Sequence, residues 1–500
     1  MTPPGPAPDR FGGRAPKLAF LGGVPSSTSV ALVGRAGEAW LADFATHFGA
    51  SRVTRDLGPG PRGQPWGLAV LAPDGEGGRT VAHWIRQVSL GLADTGMVAL
   101  LVRNRAAIPR ALRHAGVHWW RSPGTTWAFR RWLAANGFRR YVELTAIPSF
   151  ARPEEFTAAT TGAGPWGLRA RFADGYLYLA ARPGGGLWRR LDQLAALAGL
   201  GPSPPPSLAR IDLRERGALL VTVRSGGARR LCRVAATPEV GPLLDWNSTW
   251  LGRLQALGGR LARLVPLPIA TASLEGHGIH VESGMPGAIA WRALNSAPAR
   301  RRALEELVTF LLELEAATAR PGRLDPTTFE KLIAFPPPGV AIAPPPPLAS
   351  LLQEIFARLH ALVGTDVTIV SAHGDFGFGN ALVEPRSGSL TAVVDWDTGR
   401  EHELVGVDLT NLLVQRLRIE QRLSLGAAAD RVGAALIRDG FDPWLPGVTP
   451  SRLRGQGADL TRQVLRLAAV RFVQRSLRYP AILQRDLADL VALLRWAVTL

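Results

Sequence analysis

The stretch SAHGDFGFGNALVEPRSGSLTAVVDWDTG, residues 371–399, gathers His373, Asp375, Asn380 and Asp395 around a short predicted hairpin. Two carboxylates and an amide in this order suit phosphoryl transfer from ATP. That chemistry needs a carboxylate to orient the acceptor hydroxyl, and oxygen ligands for a Mg2+ ion that bridges the phosphates. In HGDFGFGN, residues 373–380, Asp375 is the candidate base and Asn380 a candidate metal ligand; Asp395, in VVDWD, is the second ligand. The competing reading is that these residues only cap turns, as Asp and Asn commonly do. One such residue would merit that reading, but several at these offsets with a hairpin between them favour chemistry. Asp397 is an accessory candidate, and His373 suits a bracing role better than proton transfer.

The elements that must position this stretch can be read on either side of it. A short apolar strand, VTIVS, leads in, and two strands, NALVEP and LTAVVDW, are joined by RSGS. Helical patterns surround them at 299–319, 349–363 and from 405 nearly to Leu500. Upstream, SLARIDLRERG, ALLVTVRSGG and ARRLCRVAATP read as an antiparallel meander turned at Gly217 and at Gly226-Gly227. The helix candidate LLDWNSTWLGRLQAL follows. A small β lobe leading into a large helical lobe implies a cleft, a favoured place for ligands. The proline-rich runs at 201–207 and 335–347 cannot continue helices or central strands and are expected to be linkers or loops.

H-G-D-x-x-x-x-N, followed fifteen residues later by D-W-D, resembles the aminoglycoside phosphotransferase and choline kinase-like family of the protein-kinase-like fold. The resemblance spans about 315 residues, from near 185 to the end. It implies that Asp375 is the catalytic base, that Asn380 and Asp395 hold Mg2+, that His373 braces the loop and that Asp408, in ELVGVDL, is a later structural aspartate. It also implies a lysine on the third small-lobe strand, gripping the ATP phosphates, and a glutamate on the next helix. Arg233 and Asn247 stand at those places. An arginine keeps the charge but spreads it over a wide fork. Gly217 marks the expected phosphate-covering turn, and Glu282, Ser283 and Gly284 the hinge that would meet adenine.

Between residues 15 and 184 short apolar strands alternate with helical patterns (SVALVG, WLADFATHFG, WGLAVLAPDG, TVAHWIRQVSLGLADTG, MVALLVRN), which argues for an α/β domain with a mostly parallel sheet. The order resembles a class I S-adenosylmethionine-dependent methyltransferase. LVGRAG (32–37) stands for the first strand and Gly loop, LAVLAPDG for the fourth strand and GMVALLVRN for the fifth. LAANGFRRYVELTAIPSF with GYLYLAARP stands for a closing antiparallel pair. Of the glycine turn that such a cofactor site needs only Gly34 and Gly37 remain, with Asp56 as the ribose acid. The expected architecture is a Rossmann-like α/β domain (15–184) after an unstructured start (1–14). A bilobal kinase-like domain follows, with a small antiparallel β lobe (185–284) and a helical lobe (285–500).

Composition sets the remaining bounds. The chain has 500 residues, 46% of them hydrophobic and 20% charged, which is enough for two or three packed domains. The single cysteine, Cys232, excludes an internal disulfide framework and any multi-cysteine metal site. The start of the chain lacks a signal-peptide core and runs such as MVALLV fall short of the ~20 residues of a membrane span, so a cytoplasmic protein is expected. Lysine occurs only at Lys17 and Lys331, leaving 56 arginines and a net charge of +18. Such a field suits an anionic substrate or an anionic membrane surface. Nucleic acid is a poor fit because the arginines are scattered and no zinc-finger or RNA-binding signature accompanies them. A polycationic aminoglycoside is disfavoured unless local acidity at Glu401, Glu403 and Asp408 overrides the global charge. Three functions follow in order: an ATP- and Mg2+-dependent kinase of a small-molecule hydroxyl (a sugar, an amino alcohol or a related metabolite), a pseudokinase-type nucleotide-binding or regulatory module, and a methyltransferase with an accessory kinase-like half.

Overall fold

A computed structural model describes residues 14–25, 27–34, 44–45, 47, 49–55, 64–72, 78–103, 126–136, 138, 141–149, 152–158, 175–201, 207–212, 218–293, 296–335, 343–444, 453, 457–478 and 480–500. They fall into two compact units, one reaching to Val240 and including Ile269–Glu282, the other comprising Gly241–Pro268 and Ser283–Leu500.

In the first unit, strands β1 (Ser29–Gly34), β2 (Val53–Thr54), β3 (Trp66–Ala72) and β4 (Leu92–Arg103) are parallel neighbours in the order β2-β1-β3-β4. β5 (Tyr141–Ser149), β6 (Arg152–Ala158) and β7 (Gly175–Ala181) continue the sheet, with β7 antiparallel to both β4 and β5. The strands expected as first, fourth and fifth are thus adjacent and parallel, and the closing pair is antiparallel. Alternate residues serve opposite faces, as the period-2 geometry of a strand requires. Val30, Leu32, Leu68, Val70, Met97 and Ala99 join the core shared with helices α1 (Arg14–Gly22) and α4 (Gly186–Leu197). Ala31, Val33, Ala69, Leu71, Val98 and Leu100 pack on the other face with Val81, Ile85 and Val88 of α2 (Gly78–Gly91) and Leu133 of α3 (Thr126–Ala135). Apolar side chains on both faces are what a sheet wrapped by helices on both sides demands.

Two differences from expectation concern this unit. The helical pattern read through 80–96 stops at Gly91, because Leu92 pairs with Trp66 and the polar segment after it joins β4. The sheet also runs on through the 184/185 division, since β6 pairs with β8 (Ser207–Asp212). From there β9 (Leu219–Ser225), β10 (Ala228–Val234), β12 (His277–Ser283) and β11 (Pro268–Leu274) follow in order, giving twelve strands among the described residues. β8, β9 and β10 form the expected meander. Gly226, at φ 56°, supplies the left-handed conformation that the two-residue β9–β10 turn needs.

The second unit is chiefly helical. α5 (Gly241–Leu257) and α6 (Gly259–Arg263) precede α7 (Ala290–Ala293), α8 (Ala297–Thr318), α9 (Pro326–Ile333) and α10 (Pro346–Leu359). α11 (Val407–Gln421), α12 (Leu425–Asp439), α13 (Ala458–Ser476) and α14 (Pro480–Thr499) complete it. The second proline run ends inside α10, with Pro at its first turn, where a missing N–H costs nothing. Two three-stranded sheets lie in this unit: β13 (Ala288–Ile289) with β16 (Ala381–Val383) and β17 (Leu390–Val393), and β14 (Arg320–Arg323) with β15 (Asp366–Ala372) and β18 (Arg400–Leu404). The β16–β17 pair is the hairpin expected after the HGD loop. Among the described residues no helix is long and apolar enough to cross a membrane.

Candidate active site

The HGD loop leaves β15 at Ala372 and is held from below by Asp408 in the first turn of α11. Asp408 accepts hydrogen bonds from the main-chain N–H of His373 (2.6 Å) and of Gly374 (3.1 Å). It is buried, and burial raises its carboxyl to about 7 against the pull of those two donors. Gly374 has φ 78°, and a Cβ there would lie 2.4 Å from the Thr398 carbonyl oxygen, so only glycine fits. Thr398 closes the contact by donating from Oγ1 to the His373 carbonyl at 2.7 Å.

His373 is fully buried, packed at 4.5 Å against Trp396. Its Nδ1 accepts from the Asp375 N–H (3.3 Å), which leaves Nε2 to donate to the Val394 carbonyl at 3.0 Å. Burial lowers its pKa, so the ring is neutral and serves as a two-ended brace between the loop and the hairpin.

Asn380 turns its Nδ2 toward the loop, donating to the Asp375 carbonyl at 2.9 Å and to Asp375 Oδ2 at 3.3 Å. Its own carbonyl accepts from Val394 N–H at 2.9 Å, and the β16–β17 register pairs Ala381 with Val393. Asn380 and Asp395 are thereby brought to the same end of the hairpin, away from its turn. Asp395 adopts φ 69°, ψ 60°, a left-handed conformation uncommon for a residue other than glycine and of the kind that concentrates at functional sites. Asn380 and Asp395 could together offer one amide oxygen and one carboxylate to a metal. That is too little for an all-protein cage but fits Mg2+, which keeps waters and phosphate oxygens among its ligands. Among the described residues no group of three or more His, Cys, Asp or Glu could hold a metal.

Asp397 lies on the same segment, with its carbonyl accepting from Arg478 Nη1 at 3.0 Å and its carboxylate 3.4 Å from the same atom. Asn247, on α5, is buried and its Oδ1 accepts the Trp396 N–H at 2.9 Å. It holds the D-W-D segment, so the residue read as a lost acid has a structural task of its own.

Arg233 and Glu282 belong to the first unit, on β10 and the adjacent strand β12. Arg233 Nε lies 3.1 Å from Glu282 Oε2, and both side chains are buried. With Asn247 where a helix glutamate was implied, Arg233 still has an acidic partner, on a strand rather than on the next helix. Glu282 was expected for its hinge backbone; its side chain makes this pair. Beside it, burial and the Glu282 charge push the Cys232 thiol up to about 12. Ser283, across the unit division, pairs with Leu267 through N–H to carbonyl and Leu267 N–H to Oγ contacts, both 2.9 Å. Gly284 follows it in irregular backbone. Gly217, Gly37 and Asp56 lie outside the described residues, and Gly34 ends β1.

The local acidity expected at Glu401, Glu403 and Asp408 is already engaged. Glu403 is fully buried and held by Arg471 at 2.6 and 3.0 Å, Glu401 pairs with Arg253, and Asp408 holds the loop. The sequence reading missed Arg475 on α13, whose Nη1 donates to Asp375 Oδ1. The contact joins positions 100 residues apart, and nothing in the local pattern of α13 marks it.

The antiparallel meander, the helical body and the H-G-D-x-x-x-x-N loop beside a D-W-D hairpin are the features that the sequence led us to expect of a kinase-like phosphotransferase. Residues 216–444, just under half of the chain, match the sequence model of the phosphotransferase enzyme family (APH). No curated protein matches the chain. Among solved structures, aminoglycoside phosphotransferase APH(4)-Ia, in a ternary complex with AMP-PNP and hygromycin B, is similar at 14% identity over 61% of this chain and 95% of that one, with a TM-score of 0.40. Amicoumacin kinase hAmiN, with AMP-PNP and Ca2+, is similar at 13% identity over 57% of this chain and 84% of that one, TM-score 0.36. WbdD, crystallised with a kinase inhibitor, aligns over 93% of this chain and 87% of that one at 11% identity, TM-score 0.26. At these scores none of the three bears on the assignments below.

Proposed function

We propose that this chain is an ATP- and Mg2+-dependent phosphotransferase acting on a hydroxyl of a small molecule, with Asp375 as the base. The family-model match over residues 216–444 supports the reaction class. The observation that carries the finer reading is the bonded unit of Asp375, Asn380 and the Val394–Asp395 edge. It gives a carboxylate beside a two-oxygen metal site with few degrees of freedom left to fix, the positioning on which phosphoryl transfer depends. Asp375 takes the acceptor's proton as the hydroxyl oxygen attacks the γ-phosphorus. Asn380 Oδ1 and Asp395 are the groups that would hold Mg2+, which when bound neutralises charge on the phosphates. His373 is neutral and doubly engaged, so its part is to position the loop. We assign Arg233 to the ATP phosphates with Glu282 orienting it, Gly217 to the turn over them and the 282–284 backbone to adenine. No S-adenosylmethionine step is assigned to residues 15–184.

The test is ATP consumption across sugars, amino alcohols and their derivatives, with Asp375→Ala as the blank. Acceptor-dependent turnover in the wild type and its loss in the blank are expected; turnover that persists in the blank removes the base assignment. Mg2+ATP should raise Tm, because it binds the folded chain alone, and Asp395→Asn should lose most of that rise. A second reading, a nucleotide-binding regulatory module, is favoured by the Arg475 contact on Asp375 and by arginine in place of the phosphate lysine. Its signature is the Tm rise without turnover of any acceptor.

A further inference from the structure

Both oxygens of Asp375 are engaged within the second unit: Oδ1 accepts from Arg475 and Oδ2 lies 3.3 Å from Asn380 Nδ2. The oxygen turned to Arg475 is occupied by a charged donor, and a hydroxyl that is to use it competes with the guanidinium. The side chains of Arg475 and Asp375 are 31% and 23% exposed, so the pair is open to exchange rather than sealed in the core. Arg475 is braced meanwhile, its guanidinium 5.1 Å from the centre of the Phe472 ring.

Arg475 does not stand alone. Arg418 of α11 has its pKa lowered by burial first and then by the like charge of Arg475, with Asp489 and Asp486 opposing the shift and Arg485 adding to it. Its Nε is buried with no hydrogen-bond partner among the described residues. Asp486 is itself committed to Arg485 at 2.7 and 2.9 Å. Once Asp375 turns to a hydroxyl, Arg475 loses that carboxylate, and the acids acting on neighbouring Arg418 among the described residues are Asp486 and Asp489. The side of Asp375 that faces Arg475 is thus lined by guanidiniums, and the acids at 401, 403 and 408 are engaged elsewhere.

Resting on the kinase reading above, we propose that the acceptor is an anionic hydroxy compound, a carboxylate or phosphate ester with a free hydroxyl. Its anionic group takes Arg475, with Arg418 alongside, and so releases Asp375 Oδ1 to the reacting hydroxyl. The transfer balances simply. The acceptor oxygen gains the γ-phosphoryl group, the bond to the β-phosphate oxygen breaks, ADP leaves and the hydroxyl proton passes to Asp375. Arg475 is here a specificity-determining residue, doubling as a guard that keeps the base neutralised until a suitable acceptor arrives. A cation, an aminoglycoside included, would meet guanidiniums instead of carboxylates.

The test compares matched acceptors on the full-length chain: glycerol against glycerol 3-phosphate and glycerate, and glucose against glucose 6-phosphate and gluconate, with ethanolamine and kanamycin as cations. Mg2+ATP-dependent turnover should favour the anionic member of a pair by at least ~10-fold in kcat/KM, the scale of one charge-assisted contact. In Arg475→Met that preference should collapse toward one, chiefly through KM for the anion, while turnover of the neutral acceptor or of water rises because the base is released. Arg475→Lys should recover part of the preference. A retained Tm and a retained Mg2+ATP shift in Arg475→Met exclude misfolding as the cause. Turnover that depends on Asp375 but prefers neutral or cationic acceptors overturns the anionic proposal and leaves the kinase reading standing. Absence of turnover with every acceptor removes both.

Discussion

Around Asp375 the chain is fixed by many short contacts of defined direction, whereas around Arg233 it relies on opposed charges in a sheet. The loop needs Gly374 for its φ, Asp408 for two N–H groups, His373 for two more contacts and Asn380 to span Asp375 and the hairpin. Each of these tasks admits one or two residue types. A buried ion pair asks only for a cation and an anion within reach, so Arg233 on β10 finds its acid on β12 while α5 uses Asn247 for another purpose. Directional hydrogen bonding explains why one region keeps a readable motif, and the looser demand of charge pairing explains why the other does not.

The sharpest way to break the comparison is at its directional end. Asp375→Ala should lower kcat by 10³-fold or more, roughly the loss expected when a base that also orients the nucleophile is removed, with Mg2+ATP binding retained in a thermal-shift titration. A loss of ATP binding equal to the loss of turnover would show that the loop does not separate acceptor from nucleotide functions.

Next in size is the charge pair. Glu282→Gln removes the carboxylate facing buried Arg233 and should cost about 3–5 kcal/mol in urea unfolding, because breaking a buried pair leaves an uncompensated charge. The double change Arg233→Met with Glu282→Leu should recover much of that stability while abolishing any contribution to nucleotide binding. If the single and double variants are equally unstable, packing rather than charge holds this corner of the sheet. Gly374→Ala should follow at roughly 2–4 kcal/mol, from a strained φ and a Cβ 2.4 Å from the Thr398 oxygen. A neutral effect there would mean that the loop relaxes freely, which its hydrogen bonds oppose.

How much of this was legible in the sequence follows from the same distinction. Asp375, Asn380 and Asp395 could be read because the contacts that order them are local: Asn380 reaches five residues back, and the hairpin folds Asp395 onto it. The parallel strands were legible from their apolar runs. Not legible were partners chosen by the fold: Arg475 on Asp375 from 100 positions away, Asn247 on Trp396, and Glu282 on Arg233. Residues 92–96 read as helix because their polar, glycine-ended pattern gives no strand signal, and they join the strand between the Leu92–Trp66 and Met97–Leu68 pairings. The joining of β6 to β8 has a similar cause, since an edge strand's N–H and C=O groups accept any suitable neighbour and carry no sequence label.

The smallest expected effect tests whether the floor beneath the loop is as uncharged as its burial implies. Glu315, near the end of α8, is buried and accepts the Gly406 N–H at 2.9 Å; burial raises its carboxyl from 4.5 to about 8, with the nearby Asp408 adding to the rise. A carboxyl whose folded-state pKa lies above its unfolded value binds its proton more tightly in the folded chain. Its contribution therefore favours folding below pH 4.5, declines as pH rises toward 8, and levels off above. Glu315→Gln keeps an acceptor for Gly406 and abolishes that titration, so the variant's urea-unfolding free energy should fall less steeply than the wild type's between pH 5 and pH 8. The two curves should lie furthest apart at the alkaline end, with Asp408, raised to about 7, giving both a shared residual slope. Parallel curves across that window would mean that Glu315 is ionised beside Asp408 and that a cation neutralises the pair.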